Sequence, residues 1–134
     1  MKCAIVGLGG FAKLISSAIK DSNRVRLVAG CDINPERLRE FTRESGTERL
    51  YDCVENLLAD PEIQLVIIAT LPAEHYKIGR LALSSGKHVF FEKPGALAPH
   101  QVADLMELAE SRGLKCSIDF VMRRNPLYFI LKEI

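Results

Sequence analysis

The 134-residue sequence has no tryptophan and no excess of charge of either sign. Lys and Arg number 18 against 17 Asp and Glu, a formal net charge of +1. This balance leaves no electrostatic footprint for nucleic acid or an anionic membrane, because both need a basic patch to meet phosphate. No apolar run approaches the roughly 20 residues that span a bilayer. The amino terminus enters a strand pattern at once and lacks the zoned layout of a secretion signal. Cys3, Cys31, Cys53 and Cys116 contain no C-x-x-C pair, which removes the usual zinc and thioredoxin-type spacings. His75, His88 and His100 are scattered and offer no metal-ligand spacing either, so no metal site is expected. Three of the cysteines, Cys3, Cys31 and Cys116, sit in apolar runs and read as buried reduced thiols. Reduced thiols suit a cytoplasmic protein. No repeat or low-complexity stretch is visible.

What remains is an ordinary globular composition, 48% hydrophobic and 26% charged. The length suffices for one domain and is short for two. Apolar runs of strand length alternate with stretches of helical period. Lys2 to Val6 is a first strand ending in glycines. Phe11, Leu14, Ile15, Ala18 and Ile19 then recur at the spacing of one helix face. Val25 to Cys31 is a second strand, followed by a helix with Asn34 as N-cap, Pro35 in the first turn and Gly46 at its end. Val54 to Leu58 is a short helical piece. Leu65 to Ala69 is continuously apolar, as a strand covered on both faces should be. Pro72 opens a helix that Gly86 ends, and His88 to Phe91 is the next strand. Val102, Leu105, Met106 and Ala109 mark a helix closed by Gly113, and Lys115 to Val121 is the last strand. Five strands alternating with helices predict an α/β fold, a Rossmann-like doubly wound parallel sheet, since parallel neighbours need crossover connections. The predicted domain runs over 1–121. Pro126 opens one more helical segment over 127–134, and 122–134 reads as the start of a connection to a further domain.

Between the first strand and the first helix stands Gly7-x-Gly9-x-x-Ala12. Each position has a task in holding a pyrophosphate. Gly7 permits a tight turn, Gly9 lets the backbone approach the ligand, and Ala12 allows the helix to lie close to the strand. Gly10 and Phe11 lie on the same turn and join the expected cofactor contacts. The phosphates would meet free N–H groups at the positive helix end. Asp32 follows Ala12 by 20 residues and closes the second strand, where a carboxylate accepts from a ribose 2′-hydroxyl. Its competing role is a turn former before Asn34-Pro35. A carboxylate repels a 2′-phosphate, so NAD is expected over NADP. Arg37 could counter this by reaching a phosphate, or could be a solvated helix charge.

From Gly86 the sequence reads G-K-H-V-F-F-E-K-P, ending at Pro94. With Gly7-x-Gly9, Asp32 and Arg123-x-Asn125-Pro126, it resembles the Gfo/Idh/MocA family, which includes glucose-fructose oxidoreductase and inositol dehydrogenase. The resemblance implies an amino-terminal Rossmann domain, here without the antiparallel-sheet domain that follows it in the family. It implies an oxidoreductase moving hydride between a nicotinamide and a sugar, inositol or related hydroxyl compound. Lys93 would be the catalytic residue at the junction of nicotinamide and substrate, and would also touch the cofactor. Glu92 would lie near the nicotinamide ribose, as would Thr70, Pro72 and His75. Leu71 departs from the more usual proline, and Gly95 from a common apolar residue. The family's aspartate–histidine pair, substrate pocket and oligomer interface belong to the second domain, so the intact protein is expected to be a homo-oligomer and the 134-residue chain alone to be inactive.

A lysine serving as base must have its pKa lowered from about 10.4 toward roughly 7–8. Lys93 falls at the carboxyl end of a strand, where such sheets place their crevice. Its alternative is a surface lysine paired with Glu92. Pro94 makes the 93–94 bond a candidate cis peptide. His75 could touch ribose or substrate, or be a half-buried helix histidine. His88 and His100 read as structural. Two other readings stay open: a dinucleotide-sensing regulator, and an NAD-dependent epimerase, lyase or glycosidase of the same family.

Overall fold

Every turn in this chain carries its own punctuation, and the resulting elements follow the expected alternation. The structure, a computed structural model, describes residues 1–120. The expected 127–134 helix, Val121 and the Arg123–Pro126 motif lie outside the described residues. The elements are β1 (Lys2–Val6), α1 (Gly10–Lys20), β2 (Arg26–Cys31), α2 (Pro35–Ser45), β3 (Leu50–Tyr51) and α3 (Val54–Ala59). They continue through β4 (Leu65–Ile68), α4 (Pro72–Ser84), β5 (His88–Phe91), α5 (Pro99–Ser111) and β6 (Cys116–Ile118). Asn34 caps α2 by accepting from the Glu36 N–H at 2.8 Å, and Gly46 ends that helix in the left-handed conformation.

All strands pair in parallel in one sheet of order β3-β2-β1-β4-β5-β6. The chain starts in the middle, winds outward to β3, then returns across β1 to build the other half. The strand order therefore reverses between β1 and β4. Side chains alternate across each strand, and on β1 this divides the core. Ala4 and Val6 join a cluster with Leu57, Ile68, Leu83 and Phe91 on one face. Cys3 and Ile5 join Leu8, Ala12, Phe41 and Ile67 on the other. The middle strands are apolar on both sides because helices cover both.

Three expectations need correction. Among the described residues the sheet has six strands, not five: β3 contributes only Leu50 and Tyr51, paired with Gly30 and Cys31. Two residues are too few to show a period in sequence. The last strand is shorter than expected, Cys116–Ile118. The apolar face of α1 is rotated by one residue. Ala12, Ile15 and Ile19 meet the sheet, whereas Leu14 is 65% exposed. Small Ala12 faces β1, which draws the helix close and turns Leu14 and Ala18 outward.

Candidate functional site

The strand order reverses between β1 and β4, and a crevice opens there at the carboxyl ends of the strands, beyond the point where their following loops touch. It has a volume of about 590 Å³. Gly7 and Gly9 line it from the β1–α1 turn, Asp32 from the end of β2, and Thr70 and Leu71 from the β4–α4 turn. Gly7 is held at φ 89°, a conformation that glycine alone adopts at no steric cost. Its N–H donates to the Cys31 carbonyl at 2.9 Å. A Cβ here would lie 2.7 Å from three backbone atoms of Ala69 and Thr70, so the two loops touch across the glycine.

Gly9 is different. It is the N-cap of α1 with φ −76°, and it supplies no side-chain cap. A Cβ at Gly9 or Gly10 would meet nothing within 4 Å. The first turn of α1 thus faces open space with N–H groups that no side chain caps, which is the donor set an anion requires.

Asp32 is 6% exposed, and its carboxylate is held by donors on three sides. Oδ2 accepts from the Leu8 N–H at 2.8 Å and Oδ1 from the Asn34 N–H at 2.9 Å. The Arg37 guanidinium stands 3.4 Å from Oδ2. Asp32 therefore ties the glycine turn to β2 and forms the turn before α2. A carboxylate offers about four acceptor positions, so capacity remains for a ligand hydroxyl. Beneath it, burial pushes the Cys31 thiol up to about 12, and the Asp32 carboxylate adds to the shift. Together the open helix end, the glycine approach and the neighbouring carboxylate fit the diphosphate and ribose of a dinucleotide.

Lys93 and Glu92 stand one strand further along. Ile68 and Phe91 are register partners, so Thr70 and Lys93, each two residues on, leave the same edge of the sheet. Lys93 is exposed. The Glu92 carboxylate accepts from the Lys93 backbone N–H at 2.8 Å and forms no ion pair with its ammonium. The Lys93–Pro94 peptide is cis. Ala12 is buried against the sheet, and Pro72 is the first residue of α4. Phe11 lies half-buried on the first turn of α1.

His75, expected either as a contact to ribose or substrate or as a half-buried helix histidine, is set deep in the fold. It is 1% exposed. Nδ1 lies 2.7 Å from the Pro94 carbonyl and Nε2 lies 3.1 Å from the Thr70 carbonyl. Both nitrogens face backbone carbonyls because α4 approaches β5 closely: a Cβ on Gly79 would reach 2.3 Å from the Phe91 ring. Of the other histidines, His88 accepts from the Lys115 N–H through Nδ1 at 3.0 Å, and His100 is exposed.

The crevice also has walls that spacing arguments did not reach. Cys53, Val54 and Glu55 enter from the start of α3, Lys77 and Leu81 from α4, and Ile33 from the rim. Ile33 is 90% exposed. An isoleucine immediately after the carboxylate was the available signal. A larger groove of about 760 Å³ lies at the opposite, amino ends of the strands, lined by residues such as Lys20, Arg26 and Gln64. It contains none of the expected site residues. Among the described residues no cluster of three or more His, Cys, Asp or Glu could hold a metal ion. No helix among them is long and apolar enough to cross a membrane.

Comparison with known proteins agrees with this geometry. A family model described as an oxidoreductase family with an NAD-binding Rossmann fold matches residues 1–120. The scyllo-inositol 2-dehydrogenase (NAD(+)) of Bacillus subtilis is 30% identical over 132 residues, covering 96% of this chain and 38% of the relative. Biliverdin reductase of Synechocystis, solved with biliverdin and NADP+, superposes with a TM-score of 0.90 at 28% identity, over 98% of this chain and 42% of that one. The scyllo-inositol dehydrogenase of Lactobacillus casei, solved with NAD(H) and scyllo-inositol, gives 0.89 at 27% identity, over 99% and 40%. The chain thus spans about two fifths of the length of these relatives.

Proposed function

The chain belongs to the Gfo/Idh/MocA oxidoreductase family, as its NAD(P)-binding Rossmann domain, and from that premise we propose an NAD-dependent dehydrogenase acting on a polyol or sugar hydroxyl. The observation that carries the cofactor choice is the buried Asp32 carboxylate, bonded to the Leu8 N–H of the glycine turn. A carboxylate fixed there receives the adenosine ribose hydroxyls and repels a phosphate in their place. Gly7, Gly9, Gly10 and Phe11 frame the diphosphate, and Ala12 sets the helix at the right depth. Thr70 and Pro72 form the wall on the nicotinamide side, and Glu92 lies beside its ribose. When bound, the nicotinamide supplies a hydride acceptor. Lys93 holds the reacting oxygen and takes the hydroxyl proton as the C–H is aimed at that acceptor.

A site of this kind needs substrate contacts from outside residues 1–120. Residues 122–134 are assigned to the connection toward them, and the 134-residue chain alone oxidises no polyol at a measurable rate. The intact protein is assigned to the cytoplasm and to a homo-oligomer. Calorimetric titration of the chain with NADH and NADPH tests the cofactor reading. NADH binds more tightly if Asp32 governs the choice. Tighter NADPH binding would mean that Arg37, 3.4 Å from Asp32, turns to a 2′-phosphate instead. Following absorbance of NADH with the intact protein over a panel of polyols tests the activity. Tight cofactor binding with no turnover on any of them would indicate a regulator.

A further inference from the structure

We propose that His75 is a positioning residue: its buried ring clasps the Lys93–Pro94 segment to the cofactor-side wall at Thr70 and touches neither cofactor nor substrate. The inference rests on the reading of Lys93 as the reacting group. Two loops leave the sheet side by side here, one after β4 and one after β5. Backbone pairing ties them as far as the Glu92 N–H, which donates to the Ile68 carbonyl at 2.9 Å. Beyond that point the sheet no longer holds them together. His75 bridges them one step further out, between the carbonyls of Thr70 and Pro94.

The ring is fixed on every side. Its backbone is in the first turn of α4, and its face packs on Phe91 with ring centroids 5.8 Å apart. Both partners are carbonyl oxygens, which only accept, and a neutral imidazole has one N–H. One carbonyl is therefore hydrogen-bonded and the other only packed against the ring; the clasp takes the nearer Pro94 carbonyl, 2.7 Å from Nδ1, as the partner of that proton. Pro94 follows Lys93 directly, so the bond restrains the backbone from which the lysine amino group reaches toward substrate. Thr70 is on the crevice wall and its carbonyl abuts Nε2 at 3.1 Å, so the ring packs the Lys93–Pro94 segment against that wall. Glutamine is the conservative replacement, since its amide keeps one N–H for Pro94.

The test uses the 134-residue chain, 15N-labelled, as wild type, His75→Gln and His75→Phe. Three quantities are read: the protonation of each ring nitrogen by NMR, amide exchange along the backbone, and NADH affinity by fluorescence. The expected wild-type ring carries its proton on Nδ1. In His75→Phe, exchange at Leu71, Lys93 and Gly95 rises together by about tenfold, the worth of one hydrogen bond. β1 and α1 stay protected, and NADH affinity stays within about threefold, roughly half of the 1.4 kcal/mol that tenfold represents. In His75→Gln the wild-type exchange rates at Lys93 and Gly95 return in large part. An unprotonated Nδ1 in wild type would overturn the clasp, and that readout holds even if a variant fails to fold. Unchanged exchange in His75→Phe would overturn it, as would a loss of NADH affinity greater than tenfold without change in exchange, the mark of a direct ligand. If wild type binds no dinucleotide at all, the proposed function fails, while ring protonation and exchange still judge the clasp.

Discussion

Gly7 and Gly9 are two residues apart in one motif, and the structure gives them opposite duties, so alanine at each should produce opposite defects. At Gly7 an alanine must adopt φ 89°, which costs an L-residue about 1–2 kcal/mol. Its Cβ would also lie 2.7 Å from the carbonyl carbon and oxygen of Ala69 and the nitrogen of Thr70. Those atoms are backbone and cannot rotate away, and overpacking of this kind costs roughly 1–3 kcal/mol. The sum, about 2–5 kcal/mol, is a large part of the ~5–15 kcal/mol that holds a domain together. For a domain of this size it lowers Tm by on the order of 10 °C or more. At Gly9 the backbone angles are open to any residue, and the added methyl meets no protein atom within 4 Å. Alanine is a poorer N-cap by about 1 kcal/mol, but replacing glycine recovers roughly 0.4–1 kcal/mol of chain entropy. Tm should therefore move by only a few degrees. The methyl does intrude on the space through which a diphosphate approaches α1. A clash of about 1–3 kcal/mol there weakens NADH binding roughly five- to 150-fold. Scanning fluorimetry and calorimetric titration of both variants read the two effects separately. Wild-type affinity in Gly9→Ala would refute the placement of the diphosphate, and an unchanged Tm in Gly7→Ala would refute the contact between the two loops.

Other outcomes follow from the same geometry. Lys93→Met should leave NADH affinity within about threefold, yet lower turnover by the intact protein by about 10²–10⁴, the usual worth of a positioned proton-transfer group; steady-state kinetics separate the two. Asp32→Asn should erase most of the NADH-over-NADPH preference in calorimetry, and a variant that kept it would place selectivity elsewhere. Burial raises the thiols of Cys3 and Cys116 to about 11 and of Cys31 to about 12, from an ordinary 9.0. The unfolded chain therefore releases these protons first. Stability is fully present below pH 9 and falls between about pH 9 and 12 as the unfolded state gains the advantage. Urea titrations at pH 8 and pH 10.5 check the sign, and equal midpoints would contradict it.

The elements that announced themselves in sequence are those whose causes are local. Pro35, Pro72 and Pro99 each stand at the first position of a helix, where a missing N–H and a fixed φ cost nothing. Alternating short apolar runs sufficed for a parallel sheet, because crossover helices cover both faces. The turn Gly7-x-Gly9-x-x-Ala12 and the 20-residue step to Asp32 were legible for the same reason: the first is one continuous turn into α1, and the second is the rest of α1, a short loop and β2. β3 was not legible, because two residues paired to an edge have no period of their own.

Which side chains meet across the crevice depended on tertiary structure. Strand order decides that Gly9 and Thr70, 61 positions apart, face one another, and nothing near either residue encodes that order. The role of His75 shows the limit plainly. Its spacing from Pro72 marked a helix start beside a binding crevice, and both a ligand role and a buried one suited that position. Only the close approach of α4 to Phe91 set the ring between two carbonyls, since burial forces a polar group to take whatever partners the surrounding backbone supplies.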